Sequence, residues 1–149
     1  MIIKRFTEEN IDFVFDNLWQ QGKDELRAFE TTQETTRKAF KDMIQEPWAL
    51  SFYQEEDGPC CALSYLKPIG NMAWQSAFAA TEEGFKSIWF SLTKYLRGTT
   101  DLIVNDLTEG KGRIELLTTS DSDLNWFSAL GFTLTKTDGA IDYYLKKAV

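Results

Sequence analysis

The sequence predicts a mixed α/β fold of the α+β kind, built on a mainly antiparallel sheet. Three observations lead there. Strand-like runs at 48–54, 60–67 and 72–80 succeed one another across short turns, which reads as an antiparallel meander. Runs with helical spacing lie on either side of that meander. A last pair of strand-like runs closes the chain around Asp138-Gly139, a second hairpin signal. The 149 residues, 43% of them hydrophobic, match the size and apolar content of a single domain, 1–149, with its own core.

Met1 to Phe6 reads as a short first strand. Thr7 has the character of an N-cap, with Glu8 and Glu9 at the positive end of the helix that follows. Ile11, Val14, Phe15, Leu18 and Trp19 continue at helical spacing, and Gly22 is expected to end the run. Thr31 and Glu34 have capping-box spacing. Ala39, Phe40, Met43 and Ile44 then form an apolar face that Pro47 closes, because a residue before proline leaves the helical region.

Within the meander, Asp57-Gly58 makes the first turn and 68–71 the second. Thr81 can cap the next helix, whose buried stripe is Phe85, Ile88, Trp89, Leu92 and Leu96, with Gly98 at its end. A short helix over 100–107, a turn at 109–112 and a strand over 113–119 follow. Residues 120–123 open a last helix that turns Leu124, Phe127 and Leu130 inward and stops at Gly131. Strands at 133–136 and 141–146 finish the chain.

Composition narrows the chemistry. A net charge of −7 without a Lys/Arg cluster disfavours nucleic acid and anionic membrane surfaces as partners. There is no histidine. That removes Ser-His and Cys-His nucleophile pairs and His-ligated metal sites, and no metal centre is expected. A general base would have to be a carboxylate, a held water, Cys, Lys or Tyr. Cys60 and Cys61 are adjacent, a poor geometry for a disulfide, and read as two strand thiols in a reducing compartment. No signal peptide or membrane-length apolar run is visible, so the expected location is the cytoplasm, or the host cytoplasm or virion for a phage-encoded chain.

The element order, together with Asp123-Leu124-Asn125-Trp126-Phe127-Ser128-Ala129-Leu130-Gly131-Phe132, resembles the GNAT family of acyl-CoA N-acyltransferases. The Leu130-Gly131-Phe132 ending matches the close of that family's last helix. The resemblance implies helices on both faces of the sheet and a splayed pair of central strands between which acetyl-CoA lies. It implies backbone amides at the start of the following helix to hold the pyrophosphate, and a carboxylate or ordered water that takes a proton from a small-molecule or protein amine.

Carried onto this chain, the cofactor-binding candidates are Thr81, Gly84, Phe85 and Lys86, and the catalytic candidates are Glu115, Gln75 and Ser76. Gln75 and Ser76 would position a water, and Glu115 reads either as the base or as an ordinary solvent-facing strand carboxylate. The sequence departs from the family pattern in three places. Only Gly84 survives of the glycine-rich phosphate turn, and Glu82 and Glu83 stand where phosphates would dock. Phe127 occupies the position of the family's acid tyrosine, with Tyr143 and Tyr144 as candidate substitutes. Ser120 replaces the asparagine that often opens the last helix.

Two functions follow from the resemblance. One is an N-acyltransferase-like protein using acyl-CoA through an atypical, impaired site. The other is a non-catalytic protein of the same fold, virion-associated or binding a protein partner; the chain is loosely similar to the small internal virion proteins of short-tailed phages, which look like degenerate members of the family. A third class is a small-molecule binder that uses the cleft without CoA.

Overall fold

The structure, a computed structural model, describes residues 1–120 and 125–149. The chain runs β1 (Ile2–Arg5), α1 (Glu8–Asp16), α2 (Gln20–Ala28), α3 (Gln33–Asp42), β2 (Leu50–Tyr53), β3 (Cys60–Gly70), β4 (Ala73–Ala80) and α4 (Glu82–Asp101). A π-helical segment (Leu102–Leu107), β5 (Arg113–Thr119), α5 (Trp126–Ala129), β6 (Thr133–Asp138) and β7 (Ile141–Lys147) complete it. The seven strands form one sheet in the order β1-β2-β3-β4-β5-β7-β6. Every pairing is antiparallel except β4 with β5. The expected mixed, mainly antiparallel fold is therefore the observed one.

Helices cover both faces. Tyr65 of β3 meets Phe40 of α3, ring centroids 4.8 Å apart, while Phe52 of β2 meets Tyr95 of α4 at 5.9 Å. Phe52 pairs across the sheet with Ala62, three residues from Tyr65, so the two contacts lie on opposite faces. With both sides covered, the start of β3 reads as an unbroken buried run, Cys60 to Leu63. Both cysteines are free and buried, and burial pushes the Cys60 thiol up to about 12, which makes it an inert packing group.

The first helical run divides where the sequence suggests one helix. α1 stops at Asp16, Leu18 makes an isolated antiparallel bridge to Thr81, and Trp19 is the N-cap of a separate helix, α2. Gly22 lies inside α2, not at a helix end. A Cβ there would meet Leu18 Cγ and Cδ1 at 2.9 Å, so the glycine lets α2 fold back against the residues before it. The cap of α3 is Thr32, whose hydroxyl accepts from Thr35 N at 3.1 Å, in place of the expected Thr31.

β3 runs through Pro68, and α4 runs through Gly98 into the π-helical segment. The expected opening of the last helix falls largely on residues 121–124, outside those described. Ser120 itself donates its hydroxyl to Gly139 O at 3.2 Å and its N–H to Ala140 O at 2.8 Å, which ties it to the β6–β7 turn.

The Leu130-Gly131-Phe132 ending is organised around Lys146. This lysine is 4% exposed and donates to Leu130 O at 2.7 Å, Thr100 Oγ1 at 2.7 Å and Arg97 O at 3.3 Å. Its ammonium also meets the Asp101 carboxylate at 2.8 Å. Gly131, at φ +93, sits so close that a Cβ would come within 3.1 Å of Lys146 Nζ. The glycine therefore supplies both the left-handed turn and the room for the ammonium.

Candidate functional site

The opening between the central strands is set by their register. β4 and β5 pair only over Ala73–Arg113, Trp74–Ile114 and Gln75–Glu115. Beyond that rung the strands separate, β5 continuing beside β7 and β4 beside β3. Ser76 is thus the first β4 residue past the last shared rung.

The edge of β4 that β5 leaves is taken by the chain itself. Thr81 N donates to Cys61 O on β3, so the Ala80 carbonyl points the other way, and it accepts from Trp19 N at 2.9 Å. With the Leu18–Thr81 bridge, the α1–α2 connection forms a short substitute strand there.

The opening itself is filled with rings. Phe78 lies 5.7 Å from Trp19, 6.1 Å from Phe85 and 4.8 Å from Trp126, and Phe85 lies 4.6 Å from Trp19 and 5.0 Å from Trp126. Trp126 Nε1 donates to Thr93 Oγ1 at 2.7 Å, joining α5 to α4. The space left among Ser76, Phe78, Leu116, Trp126 and Phe127 is about 40 Å³, close to the share of one water in the liquid, about 30 Å³. Trp19 Nε1 is buried with no acceptor among the described residues.

The start of α4 is committed to packing. Thr81 Oγ1 accepts from Gly84 N at 3.0 Å. A Cβ on Gly84 would lie 2.5 Å from Cys61 Cα and from Thr81 Oγ1, so this glycine is needed for close helix–sheet contact. Glu82 Oε1 accepts from Gln20 N at 2.8 Å. It caps α2, whose own N-cap Trp19 has no side-chain acceptor to offer. A protein carboxylate thus sits where the ends of two helix dipoles would attract an anion. Phe85 belongs to the ring cluster and Lys86 is exposed.

Glu115 stands opposite Gln75 on the last shared rung, with its side chain 44% exposed and Arg113 Nε 3.4 Å away. It lines an outer groove of about 310 Å³ with Lys136 and Tyr143. Lys136 Nζ lies 4.4 Å from the Tyr143 ring centroid, and Tyr144 packs against Phe127 at 5.8 Å.

A different carboxyl occupies the inner side. A cavity of about 260 Å³ lies between β4 and α1–α3, lined by rings that include Phe15, Phe29, Phe40, Tyr65 and Phe78. Gln75 and Ser76 reach it from β4 and Leu117 from β5, and among the described residues Glu25 of α2 is its one charged side chain. Gln21 Nε2 donates to Thr118 Oγ1 at 2.8 Å, and the Thr118 hydroxyl donates in turn to the Glu25 carboxyl. Burial pushes the Glu25 carboxyl up to about 8, the Thr118 hydrogen bond offsets part of that rise, and the neighbouring Asp24 charge adds to it.

The structure therefore places Gln75 and Ser76 on the cavity that Glu25 lines, while Gln75 also lines the outer groove with Glu115, which does not reach that cavity. Sequence reasoning passed over Glu25 because it sits in the charged run Lys23-Asp24-Glu25. The signal was Gly22, Leu26 and Phe29, a stripe at helical spacing that puts residue 25 on the inward face.

Glu25 makes stability depend on pH in a definite direction. Its carboxyl holds a proton more tightly in the folded chain than at its ordinary value of 4.5. The unfolded chain loses that proton first, so stability falls as pH rises from 4.5 to about 8 and then levels off. At about 1.4 kcal/mol per unit the full effect is on the order of a few kcal/mol. Urea titrations of Glu25→Gln at several pH values across this window are expected to show that slope removed.

Comparison with solved structures agrees with the architecture. No protein-family model matches the sequence, and no curated protein matches it either. The phosphinothricin acetyltransferase of Sinorhizobium meliloti in complex with AcCoA superposes with a TM-score of 0.66 at 11% identity, over 99% of this chain and 88% of that one. Ard1 from Thermoplasma volcanium gives 0.64 at 12% identity, over 99% and 97%. The ribosomal-protein-S5-alanine acetyltransferase of Vibrio fischeri gives 0.59 at 12%, over 98% and 92%. At such identities it is the path of the chain that is shared: this protein has the fold of the GNAT acetyltransferases.

Proposed function

We propose that this chain is an acyltransferase-like protein whose acyl-CoA site is closed, and that it works by binding and not by acyl transfer. One observation carries the proposal: the opening between β4 and β5 is filled by Trp19, Phe78, Phe85 and Trp126, with the Leu18–Trp19 connection seated on the free edge of β4. Acyl-CoA does not fit the residues present. A pantetheine arm would have to displace four packed rings, and a pyrophosphate would meet the Glu82 and Glu83 carboxylates at the start of α4. The loose similarity to internal virion proteins of short-tailed phages supports the same reading. So does the exposure of Trp89 and Phe90, 51% and 72%, side by side on α4, since aromatic surface of this kind is enriched where proteins meet.

A second reading has its own observation. Glu25, held largely protonated at neutral pH and placed near Ser76 at the opening, has the environment of a proton-transferring carboxyl. In that reading only its ionised fraction, which grows as pH rises towards about 8, would take the proton of an amine, the role the neighbouring enzymes' fold suggests, after the ring cluster had moved aside.

Calorimetric titration with acetyl-CoA at physiological salt separates the two. No saturable heat is expected up to about 1 mM ligand. Micromolar binding that is lost in Lys86→Glu would overturn the closed-site proposal and justify a screen of amine acceptors.

A further inference from the structure

We propose that the outer face of α4 is the docking surface for an acidic helix of a partner protein: Trp89 and Phe90 meet its apolar side chain, and Lys86, Lys94 and Arg97 meet its carboxylates. This rests on the reading of the chain as a binding protein, and it names the surface used and the chemistry of the partner.

The sequence of α4 sets these residues on one side. Lys86, Phe90 and Lys94 are four residues apart and Arg97 follows three further on, so they form one stripe about 16 Å long. All four are exposed. Trp89 stands beside Phe90, with ring centroids 6.0 Å apart and planes at 90°. No acidic residue interrupts the helix between Glu83 and Asp101.

Identifiable contacts leave these cations uncompensated. Glu82 lies four residues before Lys86, and Asp101 lies four after Arg97, the spacing at which a helix pairs opposite charges. Glu82 instead accepts from Gln20 N at 2.8 Å, and Asp101 meets Lys146 at 2.8 Å. Arg97 donates to Ala129 O at 2.9 Å, which leaves its charge unpaired. Among the described residues, Lys86, Lys94 and Arg97 make no ion pair. The contrast is α3, which also carries three cations: Arg37, Lys38 and Lys41 each meet a carboxylate of α1 or of α3 itself. A chain of net charge −7 thus carries a basic, aromatic stripe on this helix.

The stripe selects the partner. A helix laid along α4 repeats its rise, so a carboxylate, an apolar side chain and a carboxylate at four-residue intervals meet Lys86, Phe90 and Lys94 in turn. Rings at the centre and ion pairs at the rim are the usual anatomy of a protein interface. A second copy is a poorer match, since pairing α4 with α4 sets three cations against three. A lipid surface or a nucleic acid would bring its negative charge against the whole chain, whose own net charge opposes it.

The test titrates the whole chain, without CoA, into a labelled Ala-rich peptide of about 20 residues, long enough to be helical, with Glu, Leu and Glu four residues apart. Fluorescence anisotropy at about 50 mM NaCl is expected to show saturable binding with a Kd of about 100 μM or tighter. Affinity is expected to fall about fivefold or more in Lys94→Glu, in Phe90→Ser and with Gln in place of Glu in the peptide, and to weaken at about 500 mM NaCl. Both variants change exposed side chains and keep the fold, which a thermal melt checks. Absence of saturable binding, equal affinity for the Glu and Gln peptides, or unchanged affinity in either variant would overturn the proposal. So would tighter binding to phosphatidylserine vesicles or to oligothymidylate than to the peptide, or a dimer in sedimentation that Phe90→Ser dissolves. No ring of the β4–β5 opening takes part, so failure here leaves the closed acyl-CoA site standing, and the acetyl-CoA titration tests that site alone.

Discussion

Trp126→Ala is expected to lose about 3–5 kcal/mol of stability, the range for truncating a large buried aromatic side chain. The residue is 5% exposed and touches the rings of Phe78, Phe85 and Phe127 at 4.8, 5.0 and 5.6 Å. It is also the side chain that fastens α5 to α4 through Thr93. Trp126→Phe keeps a ring and removes that hydrogen bond, so a smaller loss of about 1–2 kcal/mol is expected. Urea denaturation of both variants measures the pair. A loss below about 1 kcal/mol in Trp126→Ala, small against core truncations generally, would mean that the rings do not close the opening, and the acyl-CoA site would have to be reconsidered.

Lys146→Met is expected to be as severe, about 3–5 kcal/mol, because it strips the cation from a buried cluster of acceptors. Leu130 O is the C-cap carbonyl of α5 and Arg97 O lies within α4, and Lys146 Nζ serves both while pairing with Asp101. Methionine would fill the volume but take the Lys146 donor from Leu130 O, while Arg97 O keeps the Thr100 hydroxyl, and an unmet buried acceptor costs about 1–3 kcal/mol. Burial lowers the Lys146 pKa, and the Asp101 contacts oppose that change. Denaturant midpoints of Lys146→Met and Asp101→Asn compare the two roles. Asp101 is half exposed, so its variant is expected to lose less.

The two variants probe different parts of one short segment. Trp126 acts on the opening between strands, while Lys146 acts on the Leu130-Gly131-Phe132 turn. That turn was the resemblance most visible in the sequence, and its glycine has a structural cause here: a positive φ and an ammonium where a Cβ would stand. Its presence therefore speaks for the fold and does not by itself speak for catalysis.

Legibility followed the range of the forces involved. The meander over β2, β3 and β4 was readable because each turn and its flanking strands lie close in sequence. Thr7 and Thr81 were readable as caps because capping is a matter of three residues. The break between α1 and α2 was not readable. Its cause is the bond from Trp19 N to Ala80 O, sixty-one positions along the chain by number, which turns a helical run into a bridge. The same holds for Glu82, whose carboxylate suggested repulsion of phosphate in the sequence and in the structure caps a helix from another part of the chain.

By itself the sequence determined the succession of strands and helices apart from the α1–α2 break, the mainly antiparallel sheet, the negative charge and the exclusion of histidine chemistry, all of which depend on local pattern or on composition. Only the tertiary structure decided that the opening between β4 and β5 is filled with rings, that Gly84 serves packing, and that Glu25, not Glu115, lies against the inner cavity. Burial, and with it the cost of a charge, is a property of what the fold brings around a side chain. A glutamate in a charged run and a glutamate on the wall of a ring-lined cavity are the same letter until the fold places one of them there.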